Sequence, residues 1–161
     1  MNLQASDIVS LVVAVVIPLV VGGLGGAATA PAIPTWYQGL NKPPWNPPNW
    51  VLGPVWTLLY ILMGVAAWLV WRQGWDNPQV QVALAIFGVQ LLLNLFWSLI
   101  FFGWRSPSWA ALEIVILWGF ILATTVLFYR VESVAGLLLI PYQLWVTFAA
   151  VLNAAVWQLN R

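Results

Sequence analysis

The chain has 161 residues, of which 63% are hydrophobic and 6% charged, with a mean hydropathy of +0.92 and a formal net charge of +1. A soluble chain is usually about a quarter charged, so five basic and four acidic side chains cannot coat a water-soluble sphere of this mass. Nor do they supply the basic stripe that nucleic acid requires. The composition is that of a membrane protein.

The elements follow from counting uncharged stretches. About 20 apolar residues cross the hydrocarbon core as a helix. Ile8–Ala30 is uncharged, a second span runs from about Asn49 to Trp71, and Asn77–Trp104 is uncharged again. Pro107–Tyr129 is interrupted only by Glu113, and Ser133–Asn160 is the last. The predicted fold is therefore an all-α integral membrane bundle of five transmembrane helices, at about 6–29, 49–71, 78–103, 107–130 and 133–159, forming one domain over 1–161. Alternating segments that would indicate a barrel are absent, as is any inverted repeat. Ala28-Thr29-Ala30 resembles a cleavage site, but no Lys or Arg precedes the first span, and that span exceeds a signal-peptide core; it is expected to be retained.

Short polar turns join the later spans: Arg72 to Pro78, Gly103 to Pro107 and Arg130 to Ser133. Trp71, Trp75, Trp104 and Trp109 flank them, where an aromatic belt belongs. Pro78 and Pro107 suit first helical turns. Pro18, Pro54 and Pro141 fall inside or near spans and are candidates for kinks. Arg72 and Arg130 lie on one side of the membrane, Lys42, Arg105 and Arg161 on the other, which barely engages the positive-inside rule. The membrane and the orientation stay open.

The first connection differs from the rest. Pro31–Trp50 holds six prolines, three tryptophans and a tyrosine. Proline stiffens a segment that has no hydrogen-bond ladder, and long loops in compact proteins are lids, binding loops or disordered tethers. Disordered segments are poor in aromatics. A structured lid over 31–48 is the favoured reading, with simple interfacial anchoring by Trp36, Tyr37, Trp45 and Trp50 as the alternative.

Absent residue types narrow the chemistry. Without histidine or cysteine there is no imidazole base, thiolate nucleophile, zinc site or disulfide, and none of the usual haem ligation. Asp7, Asp76, Glu113 and Glu132 are too scattered for an acid–base pair or a metal cage. No metal and no resident cofactor is predicted. Thirteen tryptophans leave shape, stacking, indole N–H donors and a few amides as the means of recognition.

Periodicity selects the faces. On the second span Trp56, Tyr60, Met63 and Ala67 share one stripe; on the third, Gln90, Asn94, Trp97 and Phe101 do; on the fifth, Trp145, Ala149, Leu152 and Val156. Two amides one turn apart in hydrocarbon either bond other helices or contact a ligand. The small Ala149 beside Trp145 either leaves room for a flat ligand or permits close packing. Glu113 is either functional or paired with Arg105 near the interface.

The run Trp36-Tyr37, Lys42-Pro43-Pro44-Trp45-Asn46-Pro47-Pro48-Asn49-Trp50, Pro54-Val55-Trp56 to Tyr60 resembles the TspO/MBR family, which includes tryptophan-rich sensory proteins and translocator proteins, the peripheral-type benzodiazepine receptors. Gln90 to Asn94 with Trp97-Ser98 is similar to its third-helix motif, and Pro141-Tyr142-Gln143-Leu144-Trp145, Phe148-Ala149, Leu152-Asn153 and Trp157 to its fifth. The resemblance implies a receptor or regulator that binds protoporphyrin IX or another flat hydrophobic tetrapyrrole between helices, under the first loop. It implies ligand-binding roles for Tyr37 and Trp45 in the lid, Trp56 and Tyr60 on helix two, Gln90, Asn94 and Trp97 on helix three, Trp109 at the start of helix four, and Trp145, Ala149 and Leu152 on helix five. Lacking His and Cys, the site should suit metal-free porphyrin better than haem. Transport of porphyrin, or its light-dependent degradation with Trp56 and Trp145 as redox-active indoles, are the alternatives; no catalytic residue is otherwise assigned.

One departure concerns sterols. Where sterol-responsive relatives carry an apolar–Tyr–basic pattern late in helix five, this chain reads Val151 to Gln158 with alanine at the aromatic position and glutamine at the basic one. Cholesterol is accordingly the less expected ligand. A homodimer is expected from the resemblance, through helix three, where Ala85 and Gly88 are small. Gly22-x-x-x-Gly26 on helix one also has the spacing of close helix approach, and packing within the bundle is the favoured reading for it.

Overall fold

The computed structural model describes residues 2–161, and among these every regular element is helical. Helix α1 spans Ala5–Thr29 and α2 Asn49–Trp71. Helix α3 spans Pro78–Ser98 and runs on through a π-helical turn, Leu99–Gly103. Helix α4 is Pro107–Val131, α5 the short Ser133–Leu138, and α6 Ile140–Leu159. Five spans are long and apolar enough to cross a membrane, the last made of α5 and α6 together. The protein is an integral, multi-pass membrane protein with the five-helix architecture expected from its apolar stretches.

Local chemistry sets the helix starts. The Asn77 side chain accepts the Gln79 N–H at 3.0 Å, with Pro78 in the first turn of α3. Ser106 does the same for α4, accepting from the Trp109 N–H, again ahead of a first-turn proline. Pro18 and Pro54 lie inside α1 and α2 without ending them. The last span departs from the single predicted helix over 133–159: it is interrupted at Leu139, because Pro141 has no N–H and its ring crowds the carbonyl a turn earlier. The third span departs too, since its final turn is π-helical rather than α.

Helix α1 packs mainly on α2, α3 on α4, and α4 on α6. Small residues permit the closest approaches. A β-carbon on Gly64 would overlap the Val15 backbone of α1, and one on Gly136 would overlap the Tyr129 backbone of α4. The core is a contiguous cluster including Met63, Ala66, Val70, Val80, Ala83, Ile121, Phe128, Tyr142 and Val146. Within it a polar chain crosses three helices. Tyr60 donates its hydroxyl to Asn94 Oδ1 at 2.6 Å, Asn94 Nδ2 donates to the Tyr142 hydroxyl at 2.8 Å, and that hydroxyl donates to Gln90 Oε1 at 2.8 Å. Satisfying these groups internally is what the hydrocarbon demands.

Glu113 is 8% exposed, and neither carboxyl oxygen has a hydrogen-bond partner. Pairing with Arg105 is not what the fold provides. Arg105 sits in the α3–α4 turn at φ 54, outside the bundle core, and no ion pair joins the two.

Candidate binding cavity

A cavity of about 590 Å³ lies at the loop end of the bundle, between α1, α2, α3 and α6. Small-molecule pockets commonly measure roughly 300–1,000 Å³. Its walls are aromatic and aliphatic. Trp56 and Tyr60 come from α2, Trp97 from α3, and Trp145, Ala149 and Leu152 from α6, while Gly22, Gly23, Gly25 and Gly26 make the α1 wall nearly bare backbone.

The loop after α1 forms the end wall through Ile33, Tyr37 and Pro47. It is tied by its own polar groups. Tyr37 lies in a 3₁₀ turn, Tyr37–Gly39, and its hydroxyl donates to Asn46 Oδ1 at 3.2 Å. The Lys42 ammonium donates to the carbonyls of Tyr37 (2.7 Å) and Leu40 (3.1 Å) and sits 4.6 Å from the Tyr37 ring centre. Burial pushes the Tyr37 phenol above its ordinary range, partly offset by the bond to Asn46. The loop is also fastened to the far end of the chain: Asn41 N–H donates to Asn160 Oδ1 at 2.9 Å, and Asn160 Nδ2 returns a bond to the Asn41 carbonyl at 2.8 Å.

The π-helical turn has a consequence for the cavity. Its adjacent rings Phe101 and Phe102 both line the wall. Both rings meet the loop, Phe101 at 5.6 Å from Trp36 and Phe102 at 5.6 Å from Tyr37. Nearby, the Trp97 indole N–H donates to Asn153 Oδ1 at 2.9 Å, and Asn153 Nδ2 donates to the Pro107 carbonyl at 2.8 Å, clasping α3, α6 and the start of α4.

Of the residues singled out from the sequence, Tyr37, Trp56, Tyr60, Trp97, Trp145, Ala149 and Leu152 converge on this cavity. Four do not line it. Gln90 and Asn94 lie behind the wall, engaged in the polar chain that begins at Tyr60. Trp45 packs on Phe148 from outside at 5.9 Å. Trp109 is 65% exposed and belongs with the exposed Trp71, Trp75 and Trp104 of the interfacial belt. Phe148, given a place in the fifth-helix motif but no binding role, and Phe102 also line the cavity. Phe148, one turn from Trp145, was within reach of the helical period; Phe102 was not, because a 3.6-residue repeat does not anticipate a π turn.

Polar groups on the wall are few. The Trp145 indole N–H is buried without a partner. Trp56 stacks on Tyr60 at 5.7 Å and meets Tyr142 edge-on at 6.2 Å. Such a chamber suits a flat apolar molecule held by stacking.

A five-helix membrane bundle with an aromatic chamber beneath its first loop defines a class of polytopic proteins built around an apolar cavity. The chain belongs to the TspO/MBR family, whose pattern matches residues 14–158. It is 44% identical to the "Tryptophan-rich protein TspO" of Chlorobaculum tepidum over 96% of this chain and 98% of that protein. It is 45% identical to the human "Translocator protein" over 78% of this chain and 75% of that one. The "Tryptophan-rich sensory protein" of Cereibacter sphaeroides is 39% identical, over 78% and 77% respectively.

Proposed function

We propose that this protein is a membrane receptor or regulator that binds protoporphyrin IX, or a closely similar flat tetrapyrrole, in the cavity between α1, α2, α3 and α6. The observation that carries the reading is an apolar chamber of about 590 Å³ whose lining includes the indoles of Trp56, Trp97 and Trp145. Indoles on the wall give a planar macrocycle its stacking surfaces. The loop 31–48 acts as the lid, and the protein works as a homodimer through the α3 face at Ala85 and Gly88, where a β-carbon on Gly88 meets nothing within 4 Å. The test is titration of the purified protein with protoporphyrin IX, read by tryptophan quenching. Saturable one-to-one binding is expected, and its absence would overturn the reading.

One observation favours a second activity. Trp56 touches two phenols, Tyr60 and Tyr142, so an indole oxidised beside a photo-excited porphyrin has neighbours able to share the hole. Illuminating the complex in air separates the readings. A new bilin-like absorbance marks degradation, and an unchanged porphyrin spectrum marks a binder.

A further inference from the structure

One helical stripe of α2 faces α1 along its whole length: Trp50, Gly53, Thr57, Tyr60, Gly64 and Trp68 recur at intervals of three and four. Away from the loop this stripe is sealed. Trp68 Nε1 donates to Ser10 Oγ at 3.0 Å, Gly64 abuts the Val15 backbone, and Tyr60 covers Gly22. Toward the loop the two helices part. Gly25 turns to Ser98 of α3, whereas at Gly23, Gly26 and Gly53 a β-carbon would meet no atom within 4 Å. All three of these glycines line the cavity and are solvent-accessible rather than packed. Thr57 shares both properties, and so does Trp50, which is 75% exposed.

The unfilled space at these glycines lies at the α1–α2 edge of the cavity. At 1.5 Å per residue it lies about 4–9 Å inside the ends of α1 and α2, which is the outer part of the hydrocarbon. A flat molecule with polar groups on one edge rests at that depth, its ring among acyl chains and its polar edge at the headgroups. Three glycines leave backbone alone on the slot's sides, a shape that admits a plate edge-on.

We propose that the slot at Gly23, Gly26 and Gly53 is a lateral doorway through which a flat apolar molecule dissolved in the bilayer passes between α1 and α2 into the cavity. The proposal rests on the reading of the cavity as a site for such a molecule. The doorway spares the ligand a passage through water, where its apolar faces would be hydrated. It also makes the leaflet the reservoir from which the site fills.

The experiment uses Gly23→Leu, Gly26→Leu and Gly53→Leu, each with an alanine counterpart, in phosphatidylcholine vesicles preloaded with protoporphyrin IX. A β-carbon at these positions meets no atom within 4 Å, so thermal unfolding of the alanine variants should match the unsubstituted protein, and the same measurement shows whether leucine is tolerated as well. Gly119→Leu, on the exposed face of α4 and equally free of neighbours, is the control. Stopped-flow tryptophan quenching should show association slowed about tenfold in the leucine variants and less in the alanine ones, with dissociation slowed as well. Unchanged rates would overturn the doorway. So would weaker affinity from faster dissociation at an unchanged association rate, which would make the glycines wall contacts. No saturable quenching in any protein would overturn the cavity reading and the doorway with it; saturable quenching with unaltered rates sinks the doorway alone.

Discussion

The hydroxyl of Tyr60 donates to Asn94 Oδ1 at 2.6 Å, and through this bond a residue of the cavity wall is held by a buried amide of α3. Asn94 in turn donates to Tyr142, so one amide fixes two phenols on two other helices. Replacing Asn94 with leucine strands the Tyr60 hydroxyl in an apolar core and removes the donor to the Tyr142 hydroxyl, which keeps its bond to Gln90 Oε1. The expected cost is about 1–3 kcal/mol, while Tyr60→Phe, which removes one donor and keeps the ring, should cost about 1 kcal/mol or less. Thermal unfolding in a mild detergent reads both. Asn94→Leu no less stable than Tyr60→Phe would show that the chain contributes nothing.

Trp145 and Trp109 are both prominent in the sequence, and the fold separates them. Trp145→Ala should weaken protoporphyrin IX binding by about 1–3 kcal/mol, the worth of a lost stacking surface. Trp109→Ala, at an exposed position off the cavity, should change affinity by less than about 0.5 kcal/mol. Fluorescence titration of the two variants decides it. Equal losses would mean that the ligand does not sit against α6.

If the loop closes over a bound ligand, ligand should slow its opening. Hydrogen exchange between Thr35 and Trp50 is expected to slow at saturating porphyrin. Identical exchange with and without ligand would favour simple interfacial anchoring.

The same loop should be sensitive to alkali. Burial raises the Tyr37 phenol above its ordinary value of 10.0, so the folded loop holds the proton more tightly than the opened one. Its contribution is fully present below pH 10.0 and is lost as pH rises through the folded value. Loop exchange should accelerate over that window beyond the intrinsic rise, and Tyr37→Phe should remove the excess. A phenylalanine variant with the same excess would place the titration elsewhere.

Gly22 and Gly88 differ in what surrounds them. A side chain on Gly22 would overlap the Tyr60 ring, whereas one on Gly88 meets open space. Gly22→Leu should therefore damage the fold. Gly88→Leu should leave a folded, porphyrin-binding monomer, because it obstructs the proposed α3 interface alone. Light scattering in mild detergent gives the masses. A fully dimeric Gly88→Leu beside a monomeric, ligand-binding Gly22→Leu would move the interface to α1.

The sequence alone determined the number of spans and the inward stripes on α2 and α3. Both are properties of a single segment, its apolar length against the thickness of the bilayer and its 3.6-residue period. Tyr60, Met63 and Ala67 are buried, as are Gln90 and Asn94, because that period places them on the packed side whatever the neighbouring helix is. Only the tertiary structure decided which inward residues meet core and which meet empty space. Gln90 and Asn94 reach phenols on other helices, while Trp97, a turn further along the same stripe, reaches the cavity. Helix divergence creates that space, and divergence depends on where Gly64 and Gly22 let α1 and α2 touch and where nothing fills the gap at Gly23, Gly26 and Gly53. The break at Leu139, the π turn at Phe101 and Phe102, and the isolation of Glu113 from Arg105 belong to the same category. The 3.6-residue period encodes none of these, although Pro141 marks the break at Leu139 locally.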